Sequence, residues 1–385
     1  MNDVVVIGGG PSGLYTAGLL ADSGIQVKVF EKKRSIGQDV LCTGIISKDA
    51  FQKFGLQKDS VLFELRHMEL VSPFGTSLCY DHGDVFACVV DREKFDLNLA
   101  RRASLNGAEI FTGTRVDDVE VSKQGVTVTT SSQQKGKTKH KARLAILSTG
   151  IEYRLHKKLG LGYPSHFING AQVEFQNPKE TAPRIMVGNK VAPGAFAWSI
   201  PVNDRRVRVG LITEKGAGAY LVKLVSQMHP EQGHESPELQ YRGKVIAQGP
   251  VSPTFSDRVM SVGECAAQVK TTTGGGLYYG LFCSQIAVQT ILQKMSSDSW
   301  TGSDLVDYEK EWKKAIKKEL MIGYYARKVC SRLSDKELEK LFQLAKTNGV
   351  FPLIREKGHF DWQVDLIVEL AKKAPVPALK ALVRA

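Results

Sequence analysis

Paired cysteines are missing from this chain. Its six cysteines, Cys42, Cys79, Cys88, Cys265, Cys283 and Cys330, are scattered, and no two form a C-x-x-C pair. Zinc and iron–sulfur sites therefore lack support, no metal is expected, and reduced thiols are the expected state. No run of about 18 apolar residues occurs, so no transmembrane helix is expected. No basic segment precedes the first strand-like run, so no signal peptide is expected and the cytoplasm is the expected compartment. Repeats and low-complexity linkers are lacking too. Acid is in deficit: Lys plus Arg number 52 against 40 for Asp plus Glu, a net charge of +12. Such a surface suits nucleic acid, anionic lipid or acidic partners. The densest basic stretch, Lys135 to Arg143, lies between strand-like runs and reads as a solvated hairpin tip. It has no interleaved aromatic residue, so no nucleic-acid partner is expected.

What the chain does have begins at Val4. A buried-strand run leads into Gly8-Gly-Gly-Pro-Ser-Gly13, an amphipathic helix follows, and a second strand ends at Glu31. Gly8, Gly10 and Gly13 fit G-x-G-x-x-G, with an acid about 20 residues further on. Gly8 permits the tight turn, Gly10 lets a pyrophosphate approach the backbone, and Gly13 lets helix and sheet pack closely. The helix N-terminus offers free N–H groups and a positive dipole end, and Ser12 lies in its first turn. Glu31, followed by Lys32, can accept hydrogen bonds from ribose hydroxyls. The pattern points to a dinucleotide.

At 385 residues the chain suits two domains with an ample core. Strand-like runs at Glu109 to Phe111, Val116 to Val121, Val126 to Thr130 and Leu144 to Leu147 resemble a β-meander returning to the main sheet. Alternation at Ala171 to Phe175, Arg184 to Val187 and Arg206 to Ile212 predicts an antiparallel sheet. A last buried strand, Val259 to Val262, ends at Gly263-Glu-Cys-Ala. Then come Thr271-Thr-Thr-Gly-Gly-Gly276 and a long apolar helix. Ser334-Asp-Lys-Glu337 is a capping box within a helical remainder. The expected cofactor domain is discontinuous, over 1–60, 85–160 and 250–300. The antiparallel-sheet substrate domain takes 61–84 and 161–249, and a helical region 301–385.

The loop Gly274, Gly275 and Gly276 at a helix N-terminus, far from the first phosphate motif, suits a flavin ring. Backbone N–H groups can reach its pyrimidine edge, and the helix dipole can stabilise the negative charge of the reduced ring.

Four segments together resemble the geranylgeranyl reductase family of FAD-dependent oxidoreductases, within the group sharing the para-hydroxybenzoate hydroxylase fold. They are the opening glycines with Glu31; Asp91-Arg-Glu-Lys-Phe-Asp96; Gly263 to Gly280; and Pro193-Gly-Ala-Phe-Ala-Trp-Ser-Ile-Pro201. The second is similar to the family's D-R-x-x-F-D, the third to G-D-A-A-G…T-T-G-G-G-I-Y-Y-G, the fourth to the substrate motif P-x-x-Y-x-W-x-F-P. The chain departs at Glu264 for Asp, Gln268 for Gly, Phe196 for Tyr and Ile200 for Phe. Cys42-Thr-Gly-Ile-Ile-Ser47 only partly matches the family's loop near the isoalloxazine. Phe196-Ala-Trp-Ser-Ile-Pro also resembles the W-x-W-x-I-P signature of flavin-dependent halogenases.

The resemblance implies an α/β fold: a Rossmann-type FAD-binding domain with a β-meander, an antiparallel-sheet substrate domain and a helical C-terminal region. It implies FAD held by Gly8, Gly10, Ser12, Gly13, Glu31, Lys32, Cys42, Arg92, Gly263, Glu264, Gly274, Gly275 and Gly276. Arg92 would lie near the diphosphate or ribityl side. The implied reaction is hydride transfer from N5 of reduced flavin to C=C bonds of a polyprenyl lipid or prenyl diphosphate. Phe196, Trp198, Pro201 and Tyr278 would wall the substrate; Tyr279 and Cys42 are candidate proton donors. Alternatives are a halogenase or monooxygenase, and a flavin electron carrier without a small substrate. No second dinucleotide fingerprint appears, so the reductant, NAD(P)H or ferredoxin, is expected to bind from outside. The basic, apolar stretch Trp312 to Lys328 suits the surface of a membrane, making a peripheral location the companion expectation.

Overall fold

The computed structural model describes residues 2–176, 182–228, 241–295, 300–347 and 350–373. The expected helical tail beyond residue 373 lies outside the described residues.

The opening unit forms as its pattern predicts. The strand Asn2–Ile7 runs into the helix Pro11–Asp22, and Val27–Phe30 returns beside the first strand in parallel. Pro11 at the first helical position has no N–H to leave unsatisfied. An eight-stranded sheet is built outward from this pair. Glu109–Phe111 joins one side in parallel, and Gly136–Leu147 the other. Gly136–Leu147 is long enough for two tasks. Its end lies between Asn2–Ile7 and Val259–Ser261 in parallel, while its beginning pairs antiparallel with the meander strand Gly125–Ser132. The basic stretch at 135–143 is therefore mostly strand and not a hairpin tip. Its charged side chains alternate with partners facing the core, as a half-buried strand requires.

A second sheet has seven strands. In order they are Arg242–Gln248, His166–Gln176, Arg206–Thr213, Phe196–Asn203, Arg184–Val187, His67–Val71 and Ser77–Asp81. It is antiparallel, as expected, except where Arg184–Val187 meets His67–Val71 in parallel. The helix Ala217–Met228 covers one face, with Leu221, Leu224 and Val225 packed on Ala171, Val209 and Leu211. Val61–Leu65, expected with the substrate sheet, pairs instead with Ala87–Val90. With Ile45–Ser47 they make a small three-stranded sheet.

The C-terminal helices strap the cofactor side. The helix Leu277–Lys294 packs on Pro11–Asp22, and the long helix Gly302–Cys330 packs on Leu277–Lys294. A capping box at Thr301 and Asp304 starts the long helix. Its inner face carries Leu305, Tyr308, Trp312, Ile316 and Leu320, all buried in the main core. The Trp312 indole N–H donates to Thr254 Oγ1 at 2.9 Å, so this large ring is buried without an unpaired donor.

One buried histidine makes the fold sensitive to acid. His156, in the short helix Arg154–Lys158, is fully enclosed beside Leu155, Leu159 and Leu161. Burial pushes its imidazole from 6.5 down to about 4, against a weaker opposing pull from the Cys265 backbone. The folded state thus holds it neutral where the unfolded chain takes up a proton. Its contribution is fully present above about pH 6.5 and is lost as pH falls toward about 4. Urea midpoints at neutral and mildly acidic pH should fall more for the wild type than for His156→Leu. Equal falls would remove this assignment.

Candidate functional site

The two glycine motifs meet at Ser12. A Cβ on Gly263 would lie 2.5 Å from Ser12 Oγ, and one on Gly280 would lie 2.3 Å from it. Both distances are below any real contact; at Gly263 the Ser12 Cβ is crowded as well, at 2.8 Å, so glycine there lets the opening helix touch the loop after Val259–Ser261, while at Gly280 the Ser12 hydroxyl would have to turn away. Ser284 Oγ then donates to the Ser12 carbonyl at 3.2 Å. Ser12, half-buried, is thus a joint between the two motifs.

The opening turn is equally tight. Gly8 has φ +111°, in the left-handed region, and a Cβ there would meet the Ser148 carbonyl oxygen at 2.3 Å. A Cβ on Gly13 would lie 2.1 Å from the Gly8 oxygen. Gly10 differs: a Cβ there meets nothing within 4 Å. Its face is open beside the N-terminus of the helix, as a bound pyrophosphate requires. Glu31 holds this turn, accepting from the Gly9 N–H at 2.7 Å and the Lys33 N–H at 2.8 Å. Lys32 points elsewhere, to Glu152 at 2.5 Å.

The far end lies under one face of the seven-stranded sheet. Register puts Phe196 opposite Ile212, Trp198 opposite Gly210, and Ile200 opposite Arg208. With period-2 alternation, Gly170 and Gln172 join this face, as do Lys244 and Ile246. Each contact from this face reaches a loop already singled out. Gln172 Oε1 accepts from Thr43 Oγ1 at 3.0 Å. Arg208 Nη1 donates to the Thr43 carbonyl at 2.6 Å. Lys244 Nζ pairs with Glu264 at 2.8 Å, and Ile246 packs against Gly274. Trp198 lies over Gly210, where a Cβ would come within 2.4 Å of its ring. Phe196 and Trp198 face each other with ring centroids 6.0 Å apart.

The Cys42 loop closes a third side. Cys42 is half-buried, and its sulfur accepts from the Gly44 N–H at 3.3 Å. Beneath it, buried Arg92 binds Asp96 through Nη2 at 2.9 and 3.0 Å and through Nε at 3.2 Å. Burial opposes the guanidinium charge, but Asp96 and Cys42 beside it outweigh burial and hold its pKa above the ordinary value.

Some expected site residues lie elsewhere. Pro201 is in register with Val207, and alternation turns it with Ala197 toward the helix-covered face, away from Trp198. Tyr278 is buried against Phe54, Phe282 and Trp362, and its hydroxyl accepts from Lys53 Nζ at 3.0 Å. Tyr279 is buried as well; its hydroxyl donates to the Asp361 carbonyl at 2.9 Å, and burial raises its pKa far above the ordinary phenol range. Its proton is committed to that carbonyl.

Several residues at the far end had no signal in the sequence. Lys270 is buried with its aliphatic chain against Gly275 and its ammonium 2.9 Å from buried Asp361. The same ammonium lies 4.5 Å from the Phe360 ring centroid. Phe360 packs on Phe86 and the Ile200 cluster, and Thr272 bonds Gln363. Residues 360–363 therefore tie the glycine loop to the substrate-side sheet. Among the described residues no His, Cys, Asp and Glu cluster could hold a metal.

A family described as an FAD binding domain matches residues 1–210. The chain belongs to that family, and its cofactor is FAD. The residues present fit it: the open face of Gly10 would admit the diphosphate, Glu31 at the same turn would reach the ribose, and the second glycine loop meets the sheet face where Gly274 touches Ile246. The chain is 28% identical over 355 residues to digeranylgeranylglycerophospholipid reductase 2 of Methanothermobacter thermautotrophicus, covering 89% of this chain and 91% of that one. It is 29% identical to digeranylgeranylglycerophospholipid reductase 1 of Methanococcoides burtonii, covering 88% and 86%. Its fold is similar to a geranylgeranyl bacteriochlorophyll reductase-like protein of Thermoplasma acidophilum, with TM-score 0.86, 20% identity and coverage of 99% and 98%. A flavin-dependent halogenase gives TM-score 0.71 at 16% identity, covering 93% and 73%. These structural likenesses speak to the fold.

The open face at Gly10 separates cofactor contact from packing. Gly10→Ala should keep the melting temperature of the FAD-free protein and weaken FAD binding by about tenfold, because only the diphosphate approaches there. Titration of FAD-free protein with FAD reads this directly; unchanged affinity would place the diphosphate elsewhere.

Proposed function

We propose that the protein is an FAD-dependent reductase that saturates C=C bonds in a geranylgeranyl-type chain. One observation carries this reading: the flavin-end glycine loop lies against a sheet face bearing Phe196, Trp198 and Ile200. When bound and reduced, FAD supplies the hydride. The chain's residues must supply the remainder. An isolated trisubstituted alkene has no adjacent electron sink, so a proton has to reach one carbon as hydride reaches the other. The tertiary carbon then gains cation-like character. The rings of Phe196 and Trp198 can stabilise that charge by cation–π attraction, worth about 2 kcal/mol when desolvated. Ile200, Val202 and Phe86 keep water from it.

For the proton, the geometry favours Cys42 over Tyr279. Cys42 sits on the loop that the sheet face touches through Thr43, whereas the Tyr279 proton is held by a carbonyl. Phe360 packs on Phe86 against the same Ile200 cluster that Trp198 borders. The relatives' names, which describe reductases of a digeranylgeranyl phospholipid, support the same substrate class.

Chemically reduced holoprotein makes the choice of natural electron donor irrelevant to the test. Without oxygen, a geranylgeranyl compound should reoxidise it and leave a product heavier by two hydrogens per double bond. Lipid-independent reoxidation would sink the reading, and turnover requiring oxygen with halide or an aromatic substrate would replace it with a halogenase or hydroxylase.

We also propose that the long helix rests on an anionic membrane surface. No helix among the described residues is long and apolar enough to cross a membrane. The outer stripe of Gly302–Cys330 carries Lys310, Lys314, Lys318, Met321, Tyr325 and Lys328, all exposed and spaced by three or four residues. Met321 and Tyr325 are exposed apolar groups between lysines, the arrangement of an interfacial helix. Affinity for phosphatidylglycerol vesicles, read by co-sedimentation at low salt, should fall by about thirtyfold or more for Lys314→Glu/Lys318→Glu/Tyr325→Ser, at about 1 kcal/mol for each basic residue lost near the surface. Equal sedimentation of variant and wild type would move the contact elsewhere.

A further inference from the structure

The buried pair Lys270 and Asp361 takes no part in the chemistry described so far. Lys270 Nζ lies 2.9 Å from Asp361 Oδ1, and the two side chains are 7% and 1% exposed. Taking two charges out of water is unfavourable, and a well-packed apolar pair of similar volume serves stability as well or better. Stability alone therefore does not account for these charges.

Their position does. Lys270 closes the second glycine loop with its own backbone: its N–H donates to the Gly275 carbonyl at 3.0 Å, and its carbonyl accepts from the Gly274 N–H at 2.8 Å. The side chain lies along the same loop. A Cβ on Gly275 would be 3.1 Å from Lys270 Cε and 3.8 Å from Nζ. The ammonium also stands 4.5 Å from the Phe360 ring centroid, and that ring packs on Phe86 and the Ile200 cluster. An ammonium has three N–H donors. Among the described residues one goes to Asp361 Oδ1 and one to the Phe360 carbonyl at 3.3 Å. Asp361 is itself anchored: its carbonyl accepts from the Tyr279 hydroxyl at 2.9 Å, and its N–H donates to His359 Nδ1 at 3.2 Å. The carboxylate thus holds the ammonium at the loop, and one donor is left for an acceptor there.

We propose that Lys270, held in place by Asp361, is the positive charge that biases bound FAD toward its reduced form. Two electrons and one proton turn the neutral flavin ring into an anion with its charge at the pyrimidine edge. A fixed ammonium at the loop that would face this edge favours the anion over the neutral ring. Asp361 offsets part of the effect, but the ammonium is the member of the pair that lies against Gly275. Burial leaves the attraction little screened, and the ammonium is oriented before reduction begins. The dipole of Leu277–Lys294 adds the same sign. The inference rests on the flavin-end reading of the second glycine loop and is independent of which lipid is reduced.

The test is the midpoint potential of the FAD-loaded protein, read by anaerobic reductive titration against reference dyes with no lipid present. Lys270→Met/Asp361→Leu removes both charges, leaves the net charge of the chain unchanged and fills the space with apolar groups. It should weaken the preference for reduced over oxidised FAD by about tenfold, which for a two-electron couple lowers the potential by about 30 mV. Lys270→Arg keeps the charge and should keep the potential near that of the wild type. An unchanged potential in the double variant would overturn the proposal. Loss of oxidised FAD from it would do the same, by showing that the pair only shapes the loop. If the double variant does not fold, Lys270→Gln carries the same expectation, since its amide can still donate to Asp361. Gly275→Ala separates the proposal from the reading beneath it. A methyl group there should shift the visible absorbance of bound FAD if the ring lies at this loop. A shifted spectrum together with an unchanged potential in the double variant overturns the role of the charge alone. A spectrum unchanged as well places the ring elsewhere and overturns both.

Discussion

The closeness of three backbones around the Ser12 side chain is the constraint on which the cofactor site depends. The opening helix, the turn at Gly263 and the helix carrying Gly280 all reach this one side chain; a methyl on Gly263 would crowd both its Oγ and Cβ, at 2.5 and 2.8 Å, and one on Gly280 would displace its Oγ. Interiors are packed too densely to absorb such a shift locally. Moving either partner would shift Gly10 and Glu31 relative to Gly274, Gly275 and Gly276. A site made of pieces so distant in the chain can be accurate only if the pieces touch, and here they touch through glycine.

This explains what was legible in the sequence. The opening βαβ unit is local: strand, turn, helix and acid are consecutive, so periodicity and glycine spacing revealed it and pointed to a dinucleotide without saying which. The second glycine loop was legible for the same reason. What periodicity could not show was pairing between distant segments. Pro201 reads as part of an aromatic motif, yet alternation turns it to the opposite face from Trp198. The family resemblance implied a substrate wall at Tyr278 and a proton donor at Tyr279. A helix starting there carries them inward instead, against Phe54 and the Asp361 carbonyl. Lys270 and Asp361 were illegible altogether, since a lone lysine and a lone aspartate carry no pattern until the fold joins them.

That joined pair has a mechanical consequence. Two buried charges are costly to desolvate, and separating them would leave each uncompensated, a penalty of about 3–5 kcal/mol. Lys270 begins the flavin-end loop and Asp361 sits in the segment that presents Phe360 to the sheet face. The pair therefore fixes the base of that segment, and the Phe360 carbonyl adds to it by accepting from Lys270 Nζ and Gln363 Nε2, both at 3.3 Å, while its half-buried ring packs on Phe86 and the Ile200 cluster.

Basic charge plays different parts in two elements. The strand residues at 135–143 project lysines from the meander and touch nothing in the site, so they contribute to net charge without direction. The long helix directs its charge. Its inner face is apolar and fixed by Trp312, its outer face is basic, and its last turns bring Arg327 and Lys328 to a cleft lined also by His166 and Glu214. One helix thus faces core, surface and cleft in successive turns.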